Sequence, residues 1–176
     1  MLLTLIMMPS TKEVPLVVTL KIDEPSQLFF NEKRIMFFPA HVNYVDAHIT
    51  LFHKLPANNK DIETELIAFA KHASFELRIT AILLTETSVS YAITSTVLQH
   101  LHTKMQLKFD TYLTRNDRKI LNPHITVQNK VTAYKAQKTK ALLQKDFKPF
   151  LVNAVGFTSW YYVKGYWDKK EDYLFE

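Results

Sequence analysis

Two short stretches carry the residues best suited to chemistry. Residues 47–56 read AHITLFHKLP, and residues 122–130 read NPHITVQNK. Both contain His-Ile-Thr followed by an aliphatic residue, at one offset: 124 − 48 = 76 and 126 − 50 = 76. In a strand, residues i and i+2 share a face. His48 therefore projects beside Thr50, and His124 beside Thr126, while Ile49, Leu51, Ile125 and Val127 anchor the strands in a core. Two such pairs facing one cleft surround a single group with two imidazoles and two hydroxyls. Histidine titrates near neutrality, at about 6.5 when unperturbed, so one ring can take a proton while the other gives one. The hydroxyls can hold charged oxygens that do not leave. A tetrahedral phosphodiester suits this arrangement, and the chemistry needs neither metal nor cofactor.

Serine and threonine together make up 24 of 176 residues, so chance His-x-Ser/Thr matches are expected among seven histidines. His72-Ala73-Ser74 is one, but it falls at the end of a predicted helix, where i and i+2 diverge. Chance accounts poorly for two matches sharing the apolar tail and a strand context.

The elements that must position these residues follow from periodicity and punctuation. Strands are predicted over Pro15–Ile22, Ala47–His53, Phe75–Thr85, Ser88–Thr94 and Pro123–Asn129. Two long aromatic β segments close the chain and turn near Lys164-Gly165. Helices start at Asp23 or Ser26, at Asn59 or Asp61, at Thr94 or Ser95 and near Thr132. Leu28, Phe29 and Ile35 are expected on the buried side of the first helix, and Val97, Leu98, Leu101 and Met105 on that of the third. This order predicts an α+β fold with antiparallel sheet. Each His-Ile-Thr strand is followed by a helix, which suggests a pseudo-symmetric two-lobed body.

Composition sets the outer bounds. A chain of 176 residues with 47% hydrophobic content and two glycines is expected to form a single domain over 1–176. The absence of cysteine excludes disulfides, thiolate metal sites and a cysteine nucleophile. The opening MLLTLIMMPS is too short for a bilayer span of roughly 20 residues and has neither a basic flank nor a signal cleavage site. A start at Met7 or Met8 is one reading of it and a first strand or a frayed end another, and a cytoplasmic, monomeric protein without membrane contact is expected. The net charge of +5 is uneven: residues 104–148 hold eleven Lys/Arg against three acids. That half could attract a polyanion such as RNA, although a solvated helix face explains its Lys-rich part equally simply.

Taken together, His48-Ile-Thr50-Leu, His124-Ile-Thr126-Val, PLVVTLKIDEPSQ and the aromatic end WYYVKGYW resemble the 2H phosphoesterase superfamily, in its 2′-5′ RNA ligase-like and cyclic phosphodiesterase branch. The resemblance runs from about Pro15 to Phe175. It implies a bilobal, pseudo-two-fold fold of two antiparallel sheets, with helices packed outside and a motif from each lobe in a central cleft. It also implies metal-independent hydrolysis or ligation of an RNA or nucleotide phosphodiester, commonly a 2′,3′-cyclic phosphate or a 2′-5′ linkage. His48 and His124 would be the acid–base pair, and Thr50 and Thr126 would hold phosphate oxygens. An RNA-binding module with the same cleft and little turnover is the alternative. A metal-dependent hydrolase using scattered histidines is a further rival, though His100-x-His102 on a helix makes a poor ligand pair.

Five more residues are candidates for substrate binding: Lys54, Phe52, Gln128, Tyr162 and Arg78. Strict alternation puts Lys54 on the face of Thr50, and Gln128 on that of His124 and Thr126. The same alternation turns His53 away from His48. Tyr162 could stack on a base, as could Tyr161, Tyr166 or Trp167; Phe52 has the same choice between base and core. Arg78 could supply a cation or pair with Glu76. His41 and the polar loop with Arg115, Arg118 and Lys119 precede the two motifs and could line a rim.

Overall fold

The computed structural model describes residues 14–176, so the apolar stretch 1–10 and its alternative starts lie outside the described residues. The chain runs β1 (Pro15–Ile22), α1 (Glu24–Phe37), β2 (Ile49–Pro56), α2 (Lys60–Ala70), β3 (Phe75–Leu84), β4 (Val89–Thr94) and α3 (Thr96–Lys108). It continues with β5 (His124–Gln128), α4 (Ala133–Lys145), β6 (Phe150–Val163) and β7 (Tyr166–Leu174). Asp23, Asn59, Ser95 and Thr132 cap the four helices, each accepting from a backbone N–H of the first turn. Lys164 and Gly165, both at positive φ, make the tight turn of the last hairpin.

All strand pairs are antiparallel, in the order β2-β1-β6-β3-β4-β5, with β7 added to β6. The 14-residue β6 joins the two lobes. Its start, Phe150–Ala154, pairs with β3, and Ala154–Tyr161 pairs with β1. The two antiparallel sheets are thus halves of one continuous sheet, and each half ends in a motif strand: β2 in one, β5 in the other. Gly156 sits at the changeover, where an added Cβ would lie 2.5 Å from the Tyr173 carbonyl oxygen.

The helices cover the outer faces. α2 packs on β6 and β7, while α3 places Phe109 against Phe52 of β2. α1 packs on β5, and α4 on β3 and β4. So α1, which leaves the first half, crosses to support the motif strand of the second, and α3 does the converse. The buried face of α1 is centred on Phe30 and Arg34, while Leu28 and Ile35 are 57% and 76% exposed. Apolar periodicity misses this face because one of its buried residues is an arginine. Phe29 does pack against the core, and on α3 Val97 is exposed and His102 takes its place in the buried set. One hydrophobic cluster runs through both halves. No helix among the described residues is long and apolar enough to cross a membrane.

Candidate active site

The two motifs meet in a cleft of about 410 Å³ whose walls include His48, Thr50, His124 and Thr126. A larger groove, about 660 Å³, opens elsewhere between α1 and α4 and contains none of these residues. Volume does not mark the chemistry here; the convergence of polar groups does. Ile49, Leu51, Ile125 and Val127 are fully buried behind the two strands, as strand alternation requires.

Each histidine is held the same way. His48 Nδ1 lies 2.7 Å from the Asp46 carbonyl, and His124 Nδ1 lies 2.8 Å from the Asn122 carbonyl, two residues back in both cases. A carbonyl only accepts, so Nδ1 carries the proton in both neutral rings and Nε2 is left with its lone pair for substrate. Each threonine also faces a hydroxyl on the next strand. Thr50 is opposite Thr19, and Thr126 is opposite Ser90, whose Oγ lies 3.0 Å from Thr126 Oγ1.

The two rings differ in their surroundings. Trp167 of β7 packs on His48 at 4.7 Å between ring centres, and Trp160 lies beside Trp167. Burial pushes the His48 imidazole down to about 4; Asp46's carbonyl opposes the shift, while the charges of Arg34, His124 and His53 reinforce it. His48 is therefore neutral at pH 7. His124 is exposed at the start of β5.

Both motif strands carry a bulge directly after the threonine. On β2, Thr50 pairs with Thr19 and Phe52 with Val18, which leaves Leu51 as the extra residue. On β5, Thr126 pairs with Ser90 and Gln128 with Val89, which leaves Val127 extra. The positions correspond, since 127 − 51 = 76. An extra residue reverses the alternation beyond it, and this overturns several expectations. Phe52 is fully buried against His102 and Phe109, a core ring with no surface for substrate. Gln128 turns to the opposite face, fully buried, and donates to the Phe37 carbonyl and Thr139 Oγ1 with its own Oε1 unpaired. His53 turns into the cleft, while Lys54 is exposed outside it at a second irregularity of β2, where Phe52 pairs with Val18 but Leu55 with Leu16.

The other candidates also separate. Tyr162 is 42% exposed and opposite Trp167 on β7, and it is Trp167 that meets His48. Arg78 is exposed on β3, two strands in from β5, and does not line the cleft. His41 is exposed and also outside the cleft. Of the loop before β5, Lys119 reaches the cleft wall; Arg118 pairs with Asp110 instead. The Lys-rich α4 packs behind the sheet, on the face opposite the histidines, so its charge lies away from the cleft.

Two buried side chains behind the site were not assigned to it from sequence. Arg34 of α1 donates Nη1 to the Thr126 carbonyl at 2.8 Å and grips Asn43 through Nε and Nη2. Burial lowers its pKa to about 10, which leaves it charged. His102 of α3 contacts the carbonyl of the bulged Leu51 through Nε2 at 3.0 Å. Each bulge region thus has a carbonyl satisfied by a helix that crosses from the other half. A lone arginine or histidine at a helical core position carries no local signal of this role. Among the described residues no three His, Asp or Glu side chains converge as metal ligands.

Comparison with solved structures and families agrees with the architecture. E. coli LigT complexed with NADP+ is 13% identical, with a TM-score of 0.59 over 93% of this chain and 99% of LigT. TT0787 of Thermus thermophilus is 15% identical, with a TM-score of 0.60 over 91% of this chain and 97% of TT0787. Identities this low speak for the fold alone. No curated protein matches the sequence. The model of the 2′-5′ RNA ligase superfamily matches residues 22–165, a span that contains both motifs, and the chain belongs to that superfamily.

Proposed function

We propose that the protein is a metal-independent phosphodiesterase of the 2H type, acting on an RNA or nucleotide phosphodiester such as a 2′,3′-cyclic phosphate or a 2′-5′ linkage. The observation that carries this reading is the pair of imidazoles, each locked through Nδ1 to a carbonyl and presenting Nε2 to one cleft, each beside a threonine. In hydrolysis of a cyclic phosphate, His48 Nε2 takes a proton from water as its oxygen attacks phosphorus. Protonated His124 donates Nε2–H to the ribose oxygen as its bond to phosphorus breaks. Thr50 and Thr126 hold the two oxygens that stay. His48 is assigned as base because its environment keeps it neutral. With an alcohol in place of water the same two roles ligate, and in the reverse reaction the rings exchange them. Support for a nucleotide substrate comes from E. coli LigT, a protein of the same fold whose structures include complexes with 3′-AMP and with ATP.

The test is turnover of a nucleoside 2′,3′-cyclic phosphate in EDTA, for wild type beside His48→Ala and His124→Ala. Wild type is expected to yield one phosphate isomer, which identifies the leaving oxygen, and each variant to lose roughly 10²–10⁴-fold in kcat. Binding of RNA by wild type without turnover of cyclic or 2′-5′ substrates would leave the binding-module reading in its place.

A further inference from the structure

The cleft contains a third imidazole. The bulge after Thr50 turns His53 to the cleft side of β2, where its side chain is 70% exposed. Behind it lies Asp117, whose side chain is 0% exposed. Its Oδ1 accepts the His53 backbone N–H at 2.8 Å and faces His53 Nδ1 at 3.3 Å, while Oδ2 accepts the Thr114 hydroxyl at 2.7 Å. Burial would raise the Asp117 pKa, but the bonds from His53 and Thr114 outweigh it and hold the carboxyl below its usual value. An ionised carboxylate behind Nδ1 fixes that nitrogen as a protonated one. Nε2 is the ring nitrogen left for the cleft, and it donates to a bound anion when the ring carries both protons.

Lys119 lies on the same wall. The polar loop that carries it is pinned, not mobile: Gln106 of α3 donates to the carbonyls of both Asp117 and Lys119, at 2.8 and 2.9 Å. An exposed imidazole backed by a buried carboxylate shares this cleft with the Lys119 ammonium, which donates to Asn116 Oδ1 at 2.9 Å, and together they can receive an anion. The acid–base scheme uses neither residue. Three residues of strand separate His53 from Thr50, no more than about 10 Å, a reach that matches neighbouring phosphates on one nucleotide strand.

We propose that His53 and Lys119 form a second phosphate subsite, and that the substrate is a nucleotide with a phosphate besides the one that reacts: a 5′-phosphorylated cyclic nucleotide or an oligonucleotide end. This rests on the phosphodiesterase reading above. His53 donates Nε2–H to the second phosphate, Lys119 closes on it from the loop, and Asp117 holds the ring in place.

The experiment compares kcat/KM on a nucleoside 2′,3′-cyclic phosphate and on the same compound with a 5′-phosphate, for wild type, His53→Gln and Lys119→Gln. The readout is the ratio of the two substrates within each protein, which is insensitive to any general loss of activity. Wild type is expected to favour the 5′-phosphorylated compound by roughly tenfold or more, the scale of a charge-assisted hydrogen bond. His53→Gln should bring the ratio close to one, and Lys119→Gln, on the exposed loop, should lower it without a risk to folding. A wild-type ratio near one, or a ratio unchanged in both variants, overturns the subsite and leaves the phosphodiesterase reading standing. Absence of turnover in wild type of both compounds, and of a 2′-5′-linked dinucleotide with and without a 5′-phosphate, overturns the two together.

Discussion

At the scale of single residues, His48 and His124 share a motif and a hydrogen-bonding pattern, yet their surroundings differ, and on that difference rests the proposal that His48 is the base. Trp167 shields His48, and Arg34 adds a buried cation nearby, so the charged form is disfavoured and the pKa sits near 4. The sign follows directly. A base with a lowered pKa stays competent as pH falls and is lost only when it is protonated. The acid limb of kcat/KM, which reports the free protein, is therefore expected near pH 4 and not near the ordinary histidine value of about 6.5. Trp167→Ala, which opens the ring to water, should move that limb upward. A limb near 6.5 in wild type would falsify the assignment of His48 as base.

At the scale of elements, the paired bulges decide what each motif strand shows to the cleft. One extra residue after the threonine lets β2 keep Phe52 in the core and offer His53, and lets β5 bury Gln128 beneath α4. Gly156 has a comparable role in β6, where the strand leaves β3 and takes up β1 and β7. An alanine there meets backbone on β7, the Tyr173 carbonyl at 2.5 Å and Leu174 Cα at 3.0 Å, which cannot give way as a side-chain tip could. Gly156→Ala is expected to destabilise by about 1–3 kcal/mol in urea denaturation. An unchanged midpoint would show that the β6–β7 pairing is slack at this point.

At the scale of the whole molecule, the two halves share β6 and one core, and α1 and α3 each cross to the opposite motif strand. Neither half can open without breaking the other's supports. Circular dichroism and tryptophan fluorescence, the latter reporting Trp160 and Trp167 near the cleft, should therefore give one coincident denaturant transition. Separate midpoints would mean that the lobes unfold independently.

The sequence alone determined the element order, the helix starts at Asp23, Asn59, Ser95 and Thr132, and the faces of His48, Thr50, His124 and Thr126. These rest on local rules: a cap lies within three residues of what it caps, and i to i+2 spans one strand period. The extrapolation failed one residue past each threonine, at Phe52, His53, Lys54 and Gln128. A bulge is a matter of register with the neighbouring strand, and no composition of the bulged strand announces it. Arg34, His102, Trp167 and the His53–Asp117 pair needed the tertiary structure for the same reason. Each acts on a site 51 to 119 residues away, taking the separations of His102 from Leu51, Asp117 from His53, Arg34 from Thr126 and Trp167 from His48. Contacts at that range exist only once the sheet has brought its two motif strands together.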